Sequence, residues 1–433
     1  MQKNSCFREF IKYSSLNVLG MIGLSCYILA DTFFVSKALG ADGLAALNLA
    51  IPVYSFINGS GLMIGMGGGI KYTIFKSQGK DENADRVFTN AAVLTVLIAA
   101  VFFFLGLLCS GVLTRLLGAD AEVFELTRSY LQVLMMFAPM FMANNLFLCF
   151  VRNDGAPQLA MAAMIVGSLS NVVLDYVFMF PLGMGMFGAA LATGTAPVIS
   201  MLIQSSHRLR KKNQFHLCRC RLSPRLALGI FSSGFPSLLT EVSSGIVMIV
   251  FNMIILGLAG NTGVAAYGVI ANISLVVISI YTGISQGIQP ILSSSYGQGN
   301  QKNVSAILRY AQWAVILISA AVYLLMFFGS APIVGIFNSE GNALLQQIAE
   351  TGLKIYFTGC VFAGLNIVHS VFFTSTERPL PAHVISLLRG FILIIPLAFL
   401  LSSLAELYGV WAAFPVTELL VCAVGVVLLS RYR

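Results

Sequence analysis

The stretch that decides the fold is 91–108, AAVLTVLIAAVFFFLGLL, which contains no charged side chain. A helix of about 20 largely apolar residues crosses the hydrocarbon core of a bilayer. Transmembrane β-strands would instead show segments of ~10 residues with alternating hydrophobicity. This continuous apolar run therefore predicts a transmembrane helix.

The rest of the chain has the same character. Of its 433 residues, 58% are hydrophobic and 10% are charged, and the mean hydropathy is +0.87. An average soluble protein carries about 25% charged residues, so the composition excludes a soluble globule and predicts an all-α integral membrane protein. Twelve apolar runs are long enough to span a bilayer: 14–35, 45–70, 90–113, 130–151, 160–181, 187–206, 232–257, 263–289, 307–329, 348–373, 383–403 and 407–429.

The basic residues indicate the orientation of the chain. With both termini on one side of the membrane, twenty Lys and Arg residues fall on that side and four on the other. Because Lys and Arg are enriched in cytoplasmic loops, we expect both termini and the basic segment 207–225 of this multi-pass protein to be cytoplasmic. The same segment could suggest nucleic-acid binding, but topology accounts for its charge, and we expect no nucleic-acid partner.

An internal repeat divides the chain into halves. Matching segments recur at offsets of 220 to 222 residues: 79–88 with 299–308, Pro157 with Pro379, and 188–191 with 409–412. Such spacing predicts a duplicated six-helix unit, a common plan for secondary transporters. Because six is even, both halves enter from the same side, with a pseudo-two-fold axis along the membrane normal. The predicted parts are an N-terminal lobe 1–206, a cytoplasmic linker 207–225 and a C-terminal lobe 226–433.

Three polar residues in the first half form a candidate ion site. A carboxylate at membrane depth costs on the order of 2.5–3.5 kcal/mol, so Asp31 and Asp175 should face a water-filled cavity or a polar partner. Both lie about 22 Å from the inner ends of their spans, at 1.5 Å per residue. Asn171 precedes Asp175 by one helical turn and shares its face. Its amide can donate to a carboxylate or help to coordinate a cation, so these three residues form a candidate cation site.

The remaining polar residues inside the spans leave two interpretations open. Glu241 follows Pro236 and Glu418 follows Pro415, and a proline frees a backbone carbonyl and bends its helix. They are candidates for substrate contacts, together with two residues of span ten, Asn366 and His369. The alternative is that each side chain only satisfies a buried hydrogen-bonding group between helices.

The sequence contains no signal for catalysis. It shows no nucleophile with a base at a plausible spacing, no dinucleotide fingerprint and no ATP-hydrolysing motif. We therefore predict no catalytic residue, no enzymatic activity and no cofactor. Energy for transport would come from an ion gradient or from the substrate's own gradient.

Several short motifs follow one another along the chain: ILADTFFV at 28–35, RNDG at 152–155, NVVLD at 171–175, GFP at 234–236 before Glu241, and GIQP at 287–290. In this order on twelve spans, they make the sequence resemble the multidrug and toxic compound extrusion (MATE) family of bacterial efflux transporters over essentially its whole length. The resemblance implies two six-helix lobes around a central cavity that opens alternately to the two sides of the inner membrane.

The same resemblance implies a function and a set of residue roles. It implies export of lipophilic, often cationic compounds by antiport with H⁺ or Na⁺. Asp31, Asn171 and Asp175 would form the cation-coupling cluster, and Glu241 would serve the cavity of the second lobe. The expected partners are small-molecule drugs or organic cations and the lipid bilayer, and the expected state is a monomer.

Other functions remain as alternatives. A flippase for lipid-linked saccharides, from the wider superfamily, would need cationic residues in its cavity to hold phosphates, whereas the buried charges here are acidic. A membrane acyltransferase would need a His or Cys near an acid at one membrane face. A passive channel would not support uphill export.

Overall fold

The computed structural model describes residues 2–338 and 341–432, and these residues form helices joined by turns, without a β-strand. The α-helices are α1 (Gln2–Ser77), α2 (Asp81–Leu116), α3 (Phe124–Met136), α4 (Ala138–Asn153), α5 (Pro157–Met179), α6 (Gly185–Leu209), α7 (Pro224–Gly297), α8 (Gln301–Phe337), α9 (Ala343–Tyr356), α10 (Cys360–Ser375), α11 (Pro379–Leu387) and α12 (Ile394–Tyr432). A 3₁₀ turn, Phe357–Gly359, joins α9 to α10, and a π-helical turn, Leu388–Ile392, follows α11.

Several of these helices cross a bilayer more than once. At 1.5 Å per residue, the 74 residues of α7 would span about 110 Å, against a hydrocarbon core of about 30 Å. The backbone leaves helical geometry at Gly40 in α1, at Gly260 in α7, and at Ala405 and Glu406 in α12, and each break separates two crossings.

Other crossings are made by pairs of helices. The helices α3 and α4 meet at a 47° bend and form one crossing, and α9 continues into α10 as another. With the breaks in α1, α7 and α12, the described residues supply twelve crossings. The predicted all-α integral membrane fold with two six-helix repeats is confirmed.

The duplication is also visible in the backbone. Residues with positive φ recur at the offsets seen in the sequence: Gly40 with Gly260, Gly79 with Gly299, Gly155 with Glu377, and Gly185 with Glu406. Their offsets are 220, 220, 222 and 221 residues. The two halves therefore turn their chains at equivalent positions.

The chain divides into two compact units. The first unit comprises Ser15–Val242 and Pro290–Gln301. The second unit comprises the chain up to Ser14, Ser243–Gln289 and the chain from Lys302 onward. The first part of α7 thus packs with the N-terminal half. The lobe limits drawn from the repeat, 206 and 226, stay a prediction.

The basic linker 207–225 packs against the first unit through an aromatic side chain. Phe215 is 8% exposed, and its ring centroid lies 4.7 Å from that of Phe88 in α2 and 5.7 Å from that of Phe150 in α4. Tyr72 of α1 meets the same ring at 6.2 Å. Phe215 is therefore part of the hydrophobic core of this unit.

Asp154, directly after α4, holds the same linker by hydrogen bonds. Its Oδ1 accepts from the Tyr72 hydroxyl at 2.7 Å, and its Oδ2 accepts from the backbone N–H of Gln214 at 2.8 Å. Nε2 of His207 lies 2.8 Å from the same Oδ2. One buried carboxylate thus joins α1, the end of α6 and the linker.

The second unit has an aromatic core of its own. Trp411 of α12 is 1% exposed and stacks on Tyr267 of α7, with ring centroids 6.0 Å apart. Tyr356 of α9 stacks on Phe414 at 4.3 Å. Stacked aromatic rings typically add to the stability from burial, and these contacts fix α7, α9 and α12 to one another.

Candidate functional site

The two aspartates that the sequence places at matched depth lie together in the first unit. Asp31 of α1 is 7% exposed, Asp175 of α5 is fully buried, and their carboxyl groups are within hydrogen-bonding reach of each other. Oδ1 of each has no hydrogen-bond partner among the residues described. Two ionised carboxylates in contact repel each other, so this arrangement favours a proton or another cation held between them.

Asn171 supports this pair from one turn earlier on α5. With its amide turned so that both neighbours are satisfied, its Nδ2 donates to Oδ2 of Asp175 at 2.9 Å, and its Oδ1 accepts from the backbone N–H of Thr193 at 3.2 Å. The α6 backbone at Thr193 therefore sets the orientation of the amide, and the amide in turn sets one oxygen of Asp175. The structure brings together all three residues of the predicted ion site.

Three tyrosine side chains lie near Asp31. Tyr27, Tyr54 and Tyr130 all lie within electrostatic range of Asp31. The hydroxyls of Tyr27 and Tyr54 are 3.2 Å apart, so one donates to the other. A phenol can donate a hydrogen bond as well as accept one, so these side chains place the aspartates in polar surroundings.

Glu241 belongs to a second polar group of the first unit. Nδ2 of Asn58 donates to Oε2 of Glu241 at 3.1 Å, and Nδ2 of Asn145 donates to Oδ1 of Asn58 at 2.8 Å. The Tyr54 side chain is close enough to interact electrostatically with the carboxyl groups of both Glu241 and Asp31. The family resemblance assigned Glu241 to the cavity of the second lobe. In the structure, its carboxylate accepts a hydrogen bond from Asn58 of α1.

Glu418 has partners of its own in the second unit. Nδ2 of Asn366 donates to Oε2 of Glu418 at 2.7 Å, and Nε of Arg389 donates to Oε1 at 2.5 Å. Glu418 is 2% exposed, and Asn366 is fully buried. The guanidinium balances the buried carboxylate, and this arrangement favours the structural interpretation of Glu418.

His369 also has a partner within the second unit. Its Nε2 lies 2.9 Å from Nε2 of Gln312 on α8, and the imidazole is 1% exposed. This contact joins α8 to α10. It favours the interpretation of His369 as an interhelical hydrogen-bonding residue.

Several residues of these groups were not predicted from the sequence. Asn58 and Tyr54 lie four residues apart on α1, a spacing that puts both on one helix face, and this spacing could have drawn attention to them. Asn145 and Thr193 carry no such signal. Arg389 stands near the start of span eleven, and only the packing of α12 shows that it meets Glu418.

Twelve crossings in two repeats, with a contacting acid pair inside one unit, define a class of protein: a duplicated helical membrane protein with the architecture of secondary transporters. The chain belongs to the MatE family, whose profile matches residues 18–177 and 236–400. One matched stretch falls in each half, as the duplication requires.

Curated relatives match the chain over nearly its whole length. It is 24% identical over 431 residues to the multidrug export protein MepA of Staphylococcus saprophyticus, an alignment that covers 99% of this chain and 94% of that protein. The protein of the same name from Staphylococcus aureus is 22% identical with the same coverage.

Solved structures share the fold. An outward-facing multidrug resistance MATE family transporter of the MOP superfamily superposes with a TM-score of 0.90 and 24% identity, covering 97% of this chain and 94% of that chain. A mutant of the Vibrio cholerae MATE transporter VcmN gives 0.89 at 19% identity, with 99% and 97% covered. A MOP superfamily transporter from Pyrococcus furiosus, whose reversed pocket polarity is described as suggesting a different function, gives 0.90 at 24% identity, with 97% and 94% covered.

Proposed function

We propose that this chain is a secondary active multidrug exporter that moves lipophilic, often cationic compounds out of the cell by antiport with H⁺ or Na⁺, through alternating access. The observation that carries the proposal is the contact between Asp31 and Asp175. The pair can hold a small cation or attract an organic cation, and the binding of either cation weakens the binding of the other. Antiport requires this competition. The names of the MepA relatives support drugs as the substrate class.

Asn171 can serve either coupling ion, according to the orientation of its amide. In its hydrogen-bonded orientation, Asn171 offers an N–H to Asp175 and turns its oxygen towards Thr193. A sodium ion between the carboxyl groups would need the amide oxygen instead, and the amide nitrogen would then face the N–H of Thr193. If Na⁺ is the ion, Asp31, Asn171 and Asp175 are its expected ligands.

Glu241 is the proposed second acidic group for an organic cation. It is partly exposed, and the Asn58 amide orients its carboxylate by a hydrogen bond. Glu418, in contrast, is paired with Arg389. For this reason Glu418, Asn366 and His369 are assigned to the framework of the second unit.

The proposal includes a location and an orientation. The chain is a multi-pass membrane protein, which we place in the bacterial inner membrane with both termini and the linker 207–225 in the cytoplasm.

In a cysteine-free variant, Arg208→Cys should react with an impermeant maleimide only in everted vesicles. Glu122→Cys, in the turn between α2 and α3, should react only in right-side-out vesicles. Labelling of both from one side would overturn the orientation.

One chain contains both proposed groups, Asp31 with Asp175 and Glu241, so the transport unit is expected to be a monomer. Transport by this route needs no bond-breaking step and no cofactor. A ligand can shift the inward–outward equilibrium only by its different affinities for the two states. The coupling ion and the drug would therefore each stabilise a different state.

Efflux from reconstituted vesicles tests the proposal. Ethidium, a lipophilic cation, would be followed under an imposed H⁺ gradient, an imposed Na⁺ gradient, or neither. Wild-type protein should move ethidium uphill under one gradient, and Asp31→Asn should abolish this movement at normal protein levels. Glu122→Gln removes an exposed carboxyl group and serves as the matched control.

Three results would count against the proposal. Uphill efflux by Asp31→Asn at normal expression would remove the coupling role of the pair. Ethidium movement that only follows the ethidium gradient would indicate a passive pathway. A defect in cell-wall synthesis without drug sensitivity, on deletion of the chain, would favour the lipid-linked saccharide flippase.

A further inference from the structure

The second unit contains a cleft with a volume of about 710 Å³, and the hydrogen-bonded pair Gln312 and His369 forms part of its lining. Its walls come from α8, α10 and α12. Lys302 and Arg309 lie near the start of α8, Ile316 lies further along it, and Leu365 and Val426 add apolar side chains from α10 and α12. The cleft therefore has a cationic end near the start of α8 and also presents apolar side chains.

The positive charge at the cationic end is not balanced by an acidic side chain within 4 Å in the described part of the chain. Lys302 and Arg309 are seven residues apart on α8, two helical turns, so they share one face. Both side chains are exposed. An unbalanced Lys and Arg on one face attract an anion, and the guanidinium fork matches phosphate oxygens.

Along α8, basic residues come first, then a tryptophan and then apolar residues, which is the order expected from the headgroups to the interior of a membrane leaflet. The apolar run that contains this part of α8 starts near residue 307, so Lys302 lies on the aqueous side of it and Arg309 within its first turn. Trp313 follows one turn deeper and is 59% exposed. Tryptophan is enriched at membrane interfaces, and long basic side chains extend towards the headgroups.

We propose that this cleft binds an anionic phospholipid of the cytoplasmic leaflet. Lys302 and Arg309 hold its phosphate, and an acyl chain lies along Trp313, Ile316 and Val426. Basic pockets between transmembrane helices on the cytoplasmic side are suited to anionic headgroups. The proposal rests on the cytoplasmic placement of the start of α8, which the cysteine labelling tests separately, and not on drug export or on the coupling ion.

Tryptophan fluorescence offers a direct test because the sequence has two tryptophans. Trp313 lies in the cleft, and Trp411 is buried in the core of its unit. The full-length protein would be placed in phosphatidylcholine nanodiscs that contain brominated phosphatidylglycerol or brominated phosphatidylcholine, whose bromines quench indole on contact. The quenching that disappears in Trp313→Phe reports lipid in the cleft.

Brominated phosphatidylglycerol should quench Trp313 at a mole fraction roughly thirtyfold lower than brominated phosphatidylcholine. That ratio follows from two basic side chains that each contribute on the order of 1 kcal/mol. The double variant Lys302→Gln/Arg309→Gln should lose the preference. The control Arg219→Gln/Arg221→Gln removes the same charge from exposed linker positions and should keep it.

Three outcomes would overturn the proposal. Equal quenching by the two lipids in wild-type protein would show that the headgroup is not recognised. Loss of the preference in the control double variant would assign it to overall charge instead of the cleft. Displacement of the brominated phosphatidylglycerol by millimolar inorganic phosphate at constant ionic strength would identify the occupant as a free anion.

Discussion

Asp31 and Asp175 are energetically unfavourable residues in membrane helices. Each carboxylate at membrane depth costs on the order of 2.5–3.5 kcal/mol, and their contact adds repulsion when both are ionised. The hydrogen bond from Asn171 to Asp175 offsets part of this cost. A bound cation removes the repulsion, so the free energy that destabilises the empty pair also favours ion binding.

Replacing Asn171 should therefore change the affinity for the coupling ion. The affinity of the pair for H⁺ should rise, because the ionised pair loses the hydrogen bond that stabilises it, whereas the affinity for Na⁺ should fall, because Na⁺ would lose a ligand. Hydrogen bonds to charged groups contribute about 1.5–3 kcal/mol, so in Asn171→Ala we expect the ion concentration for half-maximal ethidium efflux to change about tenfold or more. The measurement is the efflux rate against pH or Na⁺ concentration in vesicles. Asn261→Ala, at an exposed position, should leave the curve unchanged. An unaltered curve in Asn171→Ala would exclude Asn171 from the ion site.

The pair Glu418–Arg389 makes a different prediction. Breaking a buried ion pair by removing one partner typically costs about 3–5 kcal/mol, whereas replacing both with apolar residues is often neutral. Arg389→Met should thus lower the unfolding temperature of the purified protein strongly, and Arg389→Met/Glu418→Leu should recover most of the loss. Export by the recovered double variant would agree with a structural role. Loss of export at restored stability would assign Glu418 to the transport pathway.

Among the helical elements, the breaks at Gly40 and Gly260 depend on glycine. Their backbone angles, φ 64° and ψ −147° for Gly40 and φ 60° and ψ −156° for Gly260, lie in a region that is essentially restricted to glycine. Gly40→Ala and Gly260→Ala should each destabilise the protein by about 1–3 kcal/mol, measured by denaturant unfolding in detergent.

Gly257 provides the matched control for this experiment. It lies in α7 three residues before the break, has no positive φ, and has open space where a Cβ would be added. Alanine is favoured over glycine in a helix, so Gly257→Ala should be neutral or slightly stabilising. A similar loss of stability in all three variants would show that the breaks have no special requirement for glycine.

The linker is the element whose docking can be tested by proteolysis. Phe215→Ala removes a buried ring from between Phe88 and Phe150, and truncating a buried Phe costs about 3–5 kcal/mol. We expect trypsin to cut after Arg219 and Arg221 at least tenfold faster in Phe215→Ala. Leu217→Ala, at a neighbouring residue that is 68% exposed, should be cut at the wild-type rate. Equal rates would show that Phe215 does not hold the linker.

The helical crossings could be predicted from the sequence because hydrophobicity along a single run is a local property. The ends of the helices could not. The first run, 14–35, lies inside a helical segment that extends from Gln2 to the break at Gly40, because a helix continues through the headgroup region, where apolar residues are not required. The repeat offset was readable because the turns of both halves keep similar residues, such as Gly79 and Gly299.

Side-chain partners were much less predictable. They depend on how each helix is rotated about its axis, which the sequence of one helix does not determine. Asp31 and Asp175 could be matched by depth, but the contacts of Glu241 with Asn58 could not. Arg152 shows the same limit. It is one of the twenty basic residues that the sequence places on the cytoplasmic side, yet it is 2% exposed and donates to Oδ1 of Asn17 at 2.9 Å.

For the whole molecule, antiport requires that the binding free energies of the ion and the drug depend on each other. If an ion lowers the affinity for a drug by some factor, the drug must lower the affinity for the ion by the same factor. Addition of ethidium to the protein in detergent should therefore release H⁺, detected by a pH indicator in weak buffer, or Na⁺, detected as loss of bound radioactive sodium. The release should be absent in Asp31→Asn/Asp175→Asn and normal in Glu122→Gln. Ethidium that binds to wild-type protein without releasing either ion would mean that the two ligands do not compete, and antiport through the Asp31–Asp175 pair would then be excluded even if both acids proved essential for activity.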